Sequence, residues 1–578
     1  MCLLRVREAQ RTDQDKSLLV RGIAENKGDN MSEGKELSSR ISRREFVKGA
    51  ALGAGALAGA SALVSCGPAA ATPSVVPEKW DKEVDVVVVG TGTVLVGALA
   101  AYDAGAGDVV ILEKMPTAGG STIMSGGMFW IPNNPIQREA GYADSREEAI
   151  TYLTRAAEGT ADEGWIETFV DEGPKMVDYL RKNTPLDLMT DPFPDYHPDW
   201  DGAKNSRSLD CKPGFVEAYK QGQMVATLLI GGLLEACEDR AIEVMLETPV
   251  KRLVARQLGD GRMEVLGVLA ESDGEDTYIK ARKGVILGAG GFPYNEDMCK
   301  HFLRGPFRYP FCNPGNTGDC ILMGMALGVD LRNMNQAWGM PCYNIGQEKM
   351  GSFAQDRAKP GCILVNKYGE RFTNESANYE TIQRAFYRWD VVGSTGFYPN
   401  IPAFAIVDAN HLNKYGFVLS KPGEESALMT KADTLRELAS ELGIDPDGLE
   451  KTVEEFNGYA REGKDPVFHR GETEYDKFWS AFYDPEAPVL APIETPPFYA
   501  SPEVWPGGIG TKGGLAVNTK AQCLTPFREI VPRLYASGNN SGVGAPGADY
   551  GGAGGTMGPG MTFAYVAGNS VATEEPWE

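Results

Sequence analysis

Two glycines and a glutamate near residue 100 have the spacing of a dinucleotide-binding motif. Gly90 and Gly92 follow the apolar run VDVVVV (84–89), which predicts a buried parallel strand. Gly90 permits a tight turn, and Gly92 lets the backbone approach a pyrophosphate at the N-terminus of the next helix. Glu113 ends a second apolar run, at the distance where an acid binds ribose hydroxyls. The motif alone is weak, because its third glycine is replaced by Leu95, with Gly97 two residues later.

Three further glycine-rich turns strengthen this prediction: MPTAGGSTIMSGG (115–127), GVILGAGG (284–291) and LYASGNNSG (534–542). A glycine- and serine-rich loop directly after the ribose-binding acid is typical of FAD proteins rather than NAD proteins. The set resembles the two-dinucleotide-fold flavoproteins, which implies an α/β fold with a Rossmann-like FAD domain. The predicted FAD-binding residues are Gly90, Gly92, Glu113, Lys114, Gly120, Ser121, Thr122, Ser125, Gly126, Gly127, Val250, Ala289, Gly290, Asp319, Gly538, Asn539 and Met557.

The stretch GVGAPGADYGGAGGTMGPG (542–560) contains a single aromatic residue, Tyr550, and no Lys, Arg or His. After Arg533 the chain has no further Arg or Lys. A dicarboxylate substrate requires arginines, so this segment is unsuited to a dianion. A phenol hydroxyl and a backbone N–H can instead stabilise the enolate that develops from a ketone, as an oxyanion hole does.

Longer motifs narrow the resemblance. GGSTIMSGGMFWIPNNP (119–135), DPFPDY (191–196), GERFTNES (369–376) and the 542–560 stretch resemble the fumarate reductase/3-ketosteroid dehydrogenase flavoproteins. The similarity is strongest to the 3-ketosteroid Δ1-dehydrogenases and extends from about residue 80 to 575.

This resemblance implies a catalytic set of three tyrosines and one glycine. Tyr379 matches the base, Tyr196 the tyrosine that supports it, and Tyr550 and Gly554 the pair that binds the steroid C3 carbonyl. The implied reaction removes the C2 proton to the base and the C1 hydride to flavin N5. A phenol of pKa ~10 must become a phenolate for this, and a neighbouring hydroxyl that donates to it would lower its pKa.

Several alternatives remain open at this stage. The Δ4(5α)-dehydrogenases carry a serine two positions after their corresponding tyrosine, whereas here Gly551-Gly552 follows, which favours the Δ1 type. The same residues would serve a reductase of this family acting on Δ1- or Δ4-3-ketosteroids or on another enoate. A lipoprotein that binds FAD or steroid without turnover is disfavoured by the tyrosine set.

The composition of the chain restricts which ligands and redox partners it can have. The net charge of −23 argues against nucleic acid. None of the ten cysteines forms a CxxC pair, so no metal, haem or iron–sulfur site is predicted, and electrons must pass to or from an external quinone or cytochrome. Trp338, Phe353, Phe397 and Trp505 are expected to cap the site and to suit a flat apolar ketone such as a steroid.

The N-terminal region predicts export. SRREFVK (42–48) and the uncharged run 49–65 are typical of a Tat-type signal, and a membrane anchor is the alternative. Leu63-Val64-Ser65-Cys66 resembles a lipobox, which implies a periplasmic or cell-surface protein with lipid at Cys66 as its only membrane attachment. Cleavage near Ala69–Ala71 is the competing prediction, and either Met1 or Met31 is the start.

The length of 578 residues predicts two or more domains. Residues 1–66 are interpreted as the signal region and 67–79 as a linker. The FAD domain is expected at 80–335 and 511–578, and a catalytic α+β cap at 336–510 is inserted into it.

Overall fold

The computed structural model describes residues 76–221, 225–346, 350–391 and 398–578. The predicted signal region, the lipobox and residues 67–75 of the predicted linker lie outside these ranges, as does Phe397. The described residues, from Val76 onward, belong to one compact unit.

Twenty strands lie in the described ranges. They are β1 Lys82–Val89, β2 Val109–Leu112, β3 Phe129–Trp130, β4 Leu188–Thr190, β5 Ser208–Cys211, β6 Glu243–Met245, β7 Val250–Gln257, β8 Met263–Ser272, β9 Glu275–Leu287, β10 Leu331–Arg332, β11 Ala337–Asn344, β12 Met350–Ser352, β13 Ile363–Val365, β14 Phe404–Asp408, β15 Thr430–Ala432, β16 Phe498–Ala500, β17 Trp505–Thr511, β18 Gly514–Leu515, β19 Gln522–Leu524 and β20 Ile530–Ala536.

The α-helices of the same ranges cover or connect these sheets. They are α1 Leu95–Ala101, α2 Pro135–Glu139, α3 Arg146–Ala157, α4 Trp165–Asn183, α5 Phe215–Lys220, α6 Val225–Asp239, α7 Glu296–Phe302, α8 Asp319–Ala326, α9 Tyr379–Phe386, α10 Ala409–Tyr415, α11 Leu435–Leu442, α12 Pro446–Glu462, α13 Glu474–Tyr483 and α14 Met557–Ala572. Among the described residues, none of these helices has the length and apolar character needed to cross a bilayer.

A parallel sheet forms the centre of the fold. Its strands lie in the order β20-β9-β1-β2-β6, and every pair along this path is parallel. The predicted apolar runs near residues 84, 109, 284 and 534 therefore meet in one sheet, which confirms the α/β prediction. Since the carboxyl ends of parallel strands share an edge, the glycine-rich turns after β1, β2, β9 and β20 converge there.

The C-terminal helix α14 packs backbone to backbone against α1. A Cβ atom on Gly97 would lie 2.8 Å from the Ala564 carbonyl oxygen, and one on Gly568 would lie 2.3 Å from the Gly97 oxygen. Gly97 thus provides close packing for the first helix of the motif, two positions after Leu95, which is fully buried. This accounts for the shifted third glycine.

Two smaller antiparallel sheets contain all seven described strands between residues 337 and 511. The first and last of these strands, β11 and β17, pair with each other from Ala337↔Thr511 to Cys342↔Trp505. A separate four-stranded sheet has the order β13-β14-β16-β15. The boundaries 336–510 for an inserted catalytic domain stay a prediction.

Candidate active site

A cavity of about 360 Å³ lies at the carboxyl edge of the parallel strands. Every predicted cofactor-binding and catalytic residue lines this cavity except Gly127. Gly127 has φ +85°, and a Cβ there would lie 2.5 Å from the backbone nitrogen of Ala226. Its role is therefore to allow close packing against the start of α6, next to the cavity rather than in its wall.

Glu113 is fixed at the end of β2 by two hydrogen bonds. Its Oε2 accepts from the Thr91 hydroxyl at 2.6 Å, and its Oε1 accepts from the Met115 N–H at 2.9 Å. Thr91 also accepts a hydrogen bond from the Gly119 N–H at 2.9 Å. Thr91, the middle residue of the Gly90-Thr91-Gly92 turn, was not predicted from the sequence, and it joins that turn to both the acid and the next glycine-rich loop.

The turn after β1 leaves no room for side chains. Gly90 has φ +107°, and a Cβ on it would lie 2.6 Å from the Gly288 carbonyl oxygen. Bare backbone at this edge, beside an acid placed for a ribose, is a surface that fits the pyrophosphate and ribose of FAD.

Two polar contacts join distant segments around this end of the cavity. Lys114 Nζ donates to Asp319 Oδ2 at 2.7 Å and to Thr317 Oγ1 at 2.7 Å. Asn316 donates through Nδ2 to Ser121 Oγ at 2.7 Å. Lys114, Asp319 and Ser121 were predicted from the sequence, whereas Asn316 was not, because nothing in its local sequence indicates a contact with Ser121.

The three predicted catalytic tyrosines meet at the other end of the cavity. The Tyr196 hydroxyl donates to the Tyr379 hydroxyl at 3.2 Å. The ring centroid of Tyr550 lies 4.9 Å from that of Tyr196 and 5.7 Å from that of Tyr379. Residues separated by more than 170 positions in the chain therefore form one cluster.

Local backbone contacts position each tyrosine. The Tyr196 N–H donates to the Gly551 carbonyl at 3.0 Å, which ties it to the residue after Tyr550. Tyr379 is the first residue of α9, whose N-cap Asn378 accepts from the Thr381 N–H at 2.9 Å. The base candidate thus projects from a capped helix end.

Burial is the largest influence on the pKa values of these three phenols, and it raises all of them. Burial raises the pKa of Tyr196 and of Tyr379 well above the ordinary value, and it raises that of Tyr550. The hydrogen bond from Tyr196 acts in the predicted direction and lowers the pKa of Tyr379, but burial outweighs it. The Tyr196 hydroxyl therefore shifts the pKa of Tyr379 in the predicted direction, and burial of the phenol opposes that shift.

Tyr550 and Gly554 present donors on one wall of the cavity. The Thr556 hydroxyl, 3.0 Å away, donates to the Tyr550 oxygen, which leaves the phenolic proton free to point elsewhere. The Gly554 carbonyl accepts from Trp130, Met557 and Gly558, whereas the Gly554 N–H has no hydrogen-bond partner among the described residues. Thr556 was not predicted, although it lies in the quoted glycine-rich stretch.

Charged residues next to the tyrosines pair with one another behind the cluster. His197 Nε2 lies 3.1 Å from Asp549 Oδ2, and Glu380 pairs with Lys512 at 2.6 Å and Arg384 at 3.0 Å. The cations Lys512 and Arg384 are engaged by Glu380, and neither they nor His197 line the cavity. Among the described residues, no unpaired cation lines the cavity to receive a dicarboxylate, and His197 lies outside the cavity wall.

The aromatic walls differ from the sequence expectation. Trp338 does not line the cavity but backs Tyr550, with ring centroids 5.0 Å apart, while Phe353 and Trp505 belong to a separate apolar cluster. The apolar side chains around the tyrosines come instead from Met128, Phe215, Met340, Trp479 and Ile509. Sequence position alone could not show which aromatic residues face inward.

Comparison with known families agrees with this geometry. The family model described as "FAD binding domain" matches residues 85–556. The chain belongs to this FAD-binding family. It is a flavoprotein, and FAD is its cofactor.

Named members of the group are similar over most of the chain. A 3-oxosteroid 1-dehydrogenase of Mycolicibacterium smegmatis is 34% identical over 85% of this chain and 97% of its own length. A 4-oxocyclohexanecarboxylate 2-dehydrogenase of Sinomonas cyclohexanicum is 33% identical over 84% of this chain and 92% of its own. The crystal structure of 3-ketosteroid Δ1-dehydrogenase from Sterolibacterium denitrificans in complex with 1,4-androstadiene-3,17-dione has a TM-score of 0.77 at 30% identity, covering 85% of this chain and 99% of that one. The resemblance predicted from the motifs is confirmed, and this FAD-binding protein is an oxidoreductase.

Proposed function

We propose that the protein is a 3-oxosteroid Δ1-dehydrogenase, which converts the C1–C2 single bond of a 3-ketosteroid to a double bond. The observation that carries the proposal is the pair of donors on one wall of the cavity, the Tyr550 hydroxyl and the unpartnered Gly554 N–H, close to the Tyr196–Tyr379 hydrogen bond. Two donors beside a potential base are what enolisation of a ketone requires.

In this proposal the carbonyl pair acts on the C3 oxygen. As the C2 proton leaves, negative charge moves onto that oxygen, and both donors stabilise it more strongly than they stabilise the neutral ketone. Only glycine fits well at position 554. The Gly554 φ of +92° is a conformation that residues with a side chain rarely adopt, and a Cβ atom there would lie 2.6 Å from the Met128 carbonyl oxygen.

Tyr379 takes the C2 proton in its phenolate form, and Tyr196 stabilises that form by donating to the same oxygen. The C1 hydrogen leaves as a hydride with two electrons, so the steroid loses one proton and one hydride and gains the C1=C2 bond. FAD, when bound, supplies the two-electron acceptor for that hydride. The proton on Tyr379 then returns to solvent.

The cavity wall favours a neutral, flat substrate. Lys114 is the one cationic side chain among the described residues that line it, and it is paired with Asp319 at the nucleotide end. Around the tyrosines the wall is formed by Met128, Phe215, Met340 and Trp479. Such a wall stabilises steroid rings by burying their apolar surface, and it contains no cation that would bind a carboxylate.

A substrate panel with an artificial electron acceptor tests this function. We expect 3-keto-4-ene steroids to give 1,4-diene products, identified by NMR, and 4-oxocyclohexanecarboxylate to react much more slowly. Oxidation of the carboxylate in preference to every steroid, or no oxidation of any 3-ketosteroid by flavin-loaded protein, would overturn the proposal.

We further propose export by the Tat route, lipid attachment at Cys66 and electron transfer to a quinone or cytochrome. The support is the twin-arginine motif at Arg43-Arg44, the lipobox-like Leu63–Cys66 and the absence of a haem-binding motif in the sequence. Cell fractionation of the full chain with Cys66→Ser and with both arginines changed to lysine tests it. We expect release from the membrane fraction in the first variant and retention in the cytoplasm in the second, and unchanged distribution would contradict it.

A further inference from the structure

A buried arginine lies behind the tyrosine cluster without a carboxylate partner. Arg357 is only 1% exposed, and it makes no ion pair with any described residue. Its Nε has no hydrogen-bond partner either. A buried guanidinium is costly unless it serves a group that benefits from its charge.

Two of its hydrogen bonds hold the loop that leads into the proposed base. Arg357 Nη1 donates to the Ala377 carbonyl at 2.7 Å and to the Ser376 carbonyl at 3.2 Å, directly before Asn378 and Tyr379. The planar fork of a guanidinium fits two adjacent carbonyls in a way that a lysine ammonium does not.

The rest of the guanidinium faces aromatic rings. Nη2 donates to the Tyr475 hydroxyl at 3.1 Å, and Cζ lies 5.8 Å from the ring centroids of both Tyr379 and Tyr475. Tyr475 in turn packs on Tyr196, with ring centroids 5.1 Å apart. A positive charge at this distance in a buried site favours the anionic form of a nearby phenol.

We propose that Arg357 is a positioning residue for the base: it holds the loop that presents Tyr379 and provides the uncompensated positive charge that stabilises the Tyr379 phenolate. The inference rests on the proposed function. It adds a positive charge to the stabilisation that the Tyr196 hydrogen bond provides.

The other charged groups around the base are already paired. Glu380 is neutralised by Lys512 and Arg384, and Glu375 by Arg371 and Arg470, while Asp549 lies 3.8 Å from Arg384 and 3.1 Å from His197. Asp356 pairs with Lys359, and the Asp476 carboxylate accepts from the Asn374 amide and the Gly471 N–H. The titratable groups whose rings contact Tyr379 are the neutral phenols of Tyr196 and Tyr550. Among the described residues near Tyr379, Arg357 is therefore the one cation without a carboxylate partner.

Proton exchange at C2 of the steroid isolates the base step from the redox step. The flavin is kept reduced under anaerobic conditions, a 3-ketosteroid is added in D2O, and deuterium uptake at C2 is followed by NMR across a range of pH. Loss of the cation in Arg357→Gln raises the pKa of the base, so the acid limb of the exchange profile should move to higher pH. We expect a shift of about one unit, which is about tenfold slower exchange on that limb.

Two further variants separate charge from structure. Arg357→Lys keeps the positive charge but loses the planar guanidinium that binds both carbonyls. Its rate of C2 proton exchange should therefore fall, while the acid limb of its pH profile stays near that of the wild type. Tyr475→Phe removes the hydroxyl that accepts from Arg357 and keeps the guanidinium, so the acid limb of its exchange profile should also stay near that of the wild type. Flavin content and thermal unfolding of each variant report on folding.

A folded, flavin-loaded Arg357→Gln protein with the wild-type pH profile would overturn the inference while leaving the proposed function intact. If that variant does not fold, an acid limb displaced by a full unit in Arg357→Lys would overturn it equally. If the wild-type protein neither exchanges C2 protons nor oxidises any 3-ketosteroid, the proposed function fails and the inference falls with it.

Discussion

Tyr550 is the residue on which the proposed chemistry depends most directly. Its oxygen accepts from the Thr556 hydroxyl at 3.0 Å, so its own proton is free for a substrate oxygen. The Gly554 N–H beside it is likewise free among the described residues. A ketone oxygen held by both donors would gain stabilisation as charge develops, and loss of one donor should slow the reaction without loss of the fold.

Replacement of Tyr550 by phenylalanine removes one donor and keeps the ring. We expect kcat on a 3-ketosteroid to fall about 10²-fold, with flavin content unchanged, because one oxyanion donor is lost. Tyr343→Phe is the matched control, since Tyr343 is fully buried with an unpartnered hydroxyl in a separate cluster. Equal kcat for Tyr550→Phe and the wild type would show that Tyr550 does not bind the carbonyl.

At the scale of elements, turns after parallel strands place the cofactor residues, and the sequence could predict much of this. The apolar runs before Gly90 and Glu113 and the glycine turns after β9 and β20 carry a clear local pattern, because buried parallel strands and tight turns restrict residue type.

Contacts across segments could not be predicted in the same way. Thr91, Asn316 and Thr556 are ordinary residue types in loops, and their partners lie in other parts of the fold. The tyrosines were found through family motifs, not through spacing. The failed assignment of Phe353 and Trp505 to the cavity has the same cause, since an aromatic residue packs equally well in a core.

A glycine substitution tests the backbone geometry of the last turn. Gly554→Ala should lower the thermal midpoint and abolish most activity, because φ +92° costs an alanine about 1–2 kcal/mol and its Cβ would clash with the Met128 carbonyl. Gly458→Ala is the control, within α12, with open space around its Cβ. We expect the control to be as stable as the wild type or slightly more stable, and equal midpoints for both variants would contradict the account.

Flavin retention tests the strand end at Glu113. Glu113→Ala removes an acceptor that fixes Thr91 and Met115 and is placed for the ribose. We expect FAD affinity to fall by about 10–100-fold, because a hydrogen bond to a charged group contributes free energy of that order. Visible absorbance of the purified protein and titration of the apoprotein with FAD measure the change. Full retention of FAD would show that the ribose binds elsewhere.

At the scale of the whole molecule, one buried histidine far from the tyrosines links stability to pH. His411 is buried, and its Nδ1 lies 2.7 Å from the Pro360 carbonyl oxygen. Burial lowers the pKa of His411 from 6.5 to about 3. The unfolded chain therefore binds a proton below about pH 6.5 that the folded chain does not, and this contribution to stability falls as the pH drops from 6.5 toward 3.

Urea unfolding at several pH values tests this linkage. Between pH 6.5 and pH 5, His411 should lower the free energy of unfolding by about 2 kcal/mol, because each pH unit contributes about 1.4 kcal/mol. His411→Asn can keep a donor to Pro360 and should lose that part of the pH dependence, while the difference between the two proteins stays constant above pH 7. Parallel stability profiles down to pH 5 would contradict the assignment.

The central claim is that this flavoprotein oxidises the A ring of 3-ketosteroids through the tyrosine cluster. Anaerobic titration of the oxidised protein with a 3-keto-4-ene steroid measures it most directly, because flavin bleaching reports the two-electron step without any acceptor. We expect stoichiometric bleaching with formation of the 1,4-diene in the wild type and much slower bleaching in Tyr550→Phe. The absence of bleaching by any 3-ketosteroid, or reoxidation of the reduced protein by fumarate, would contradict it.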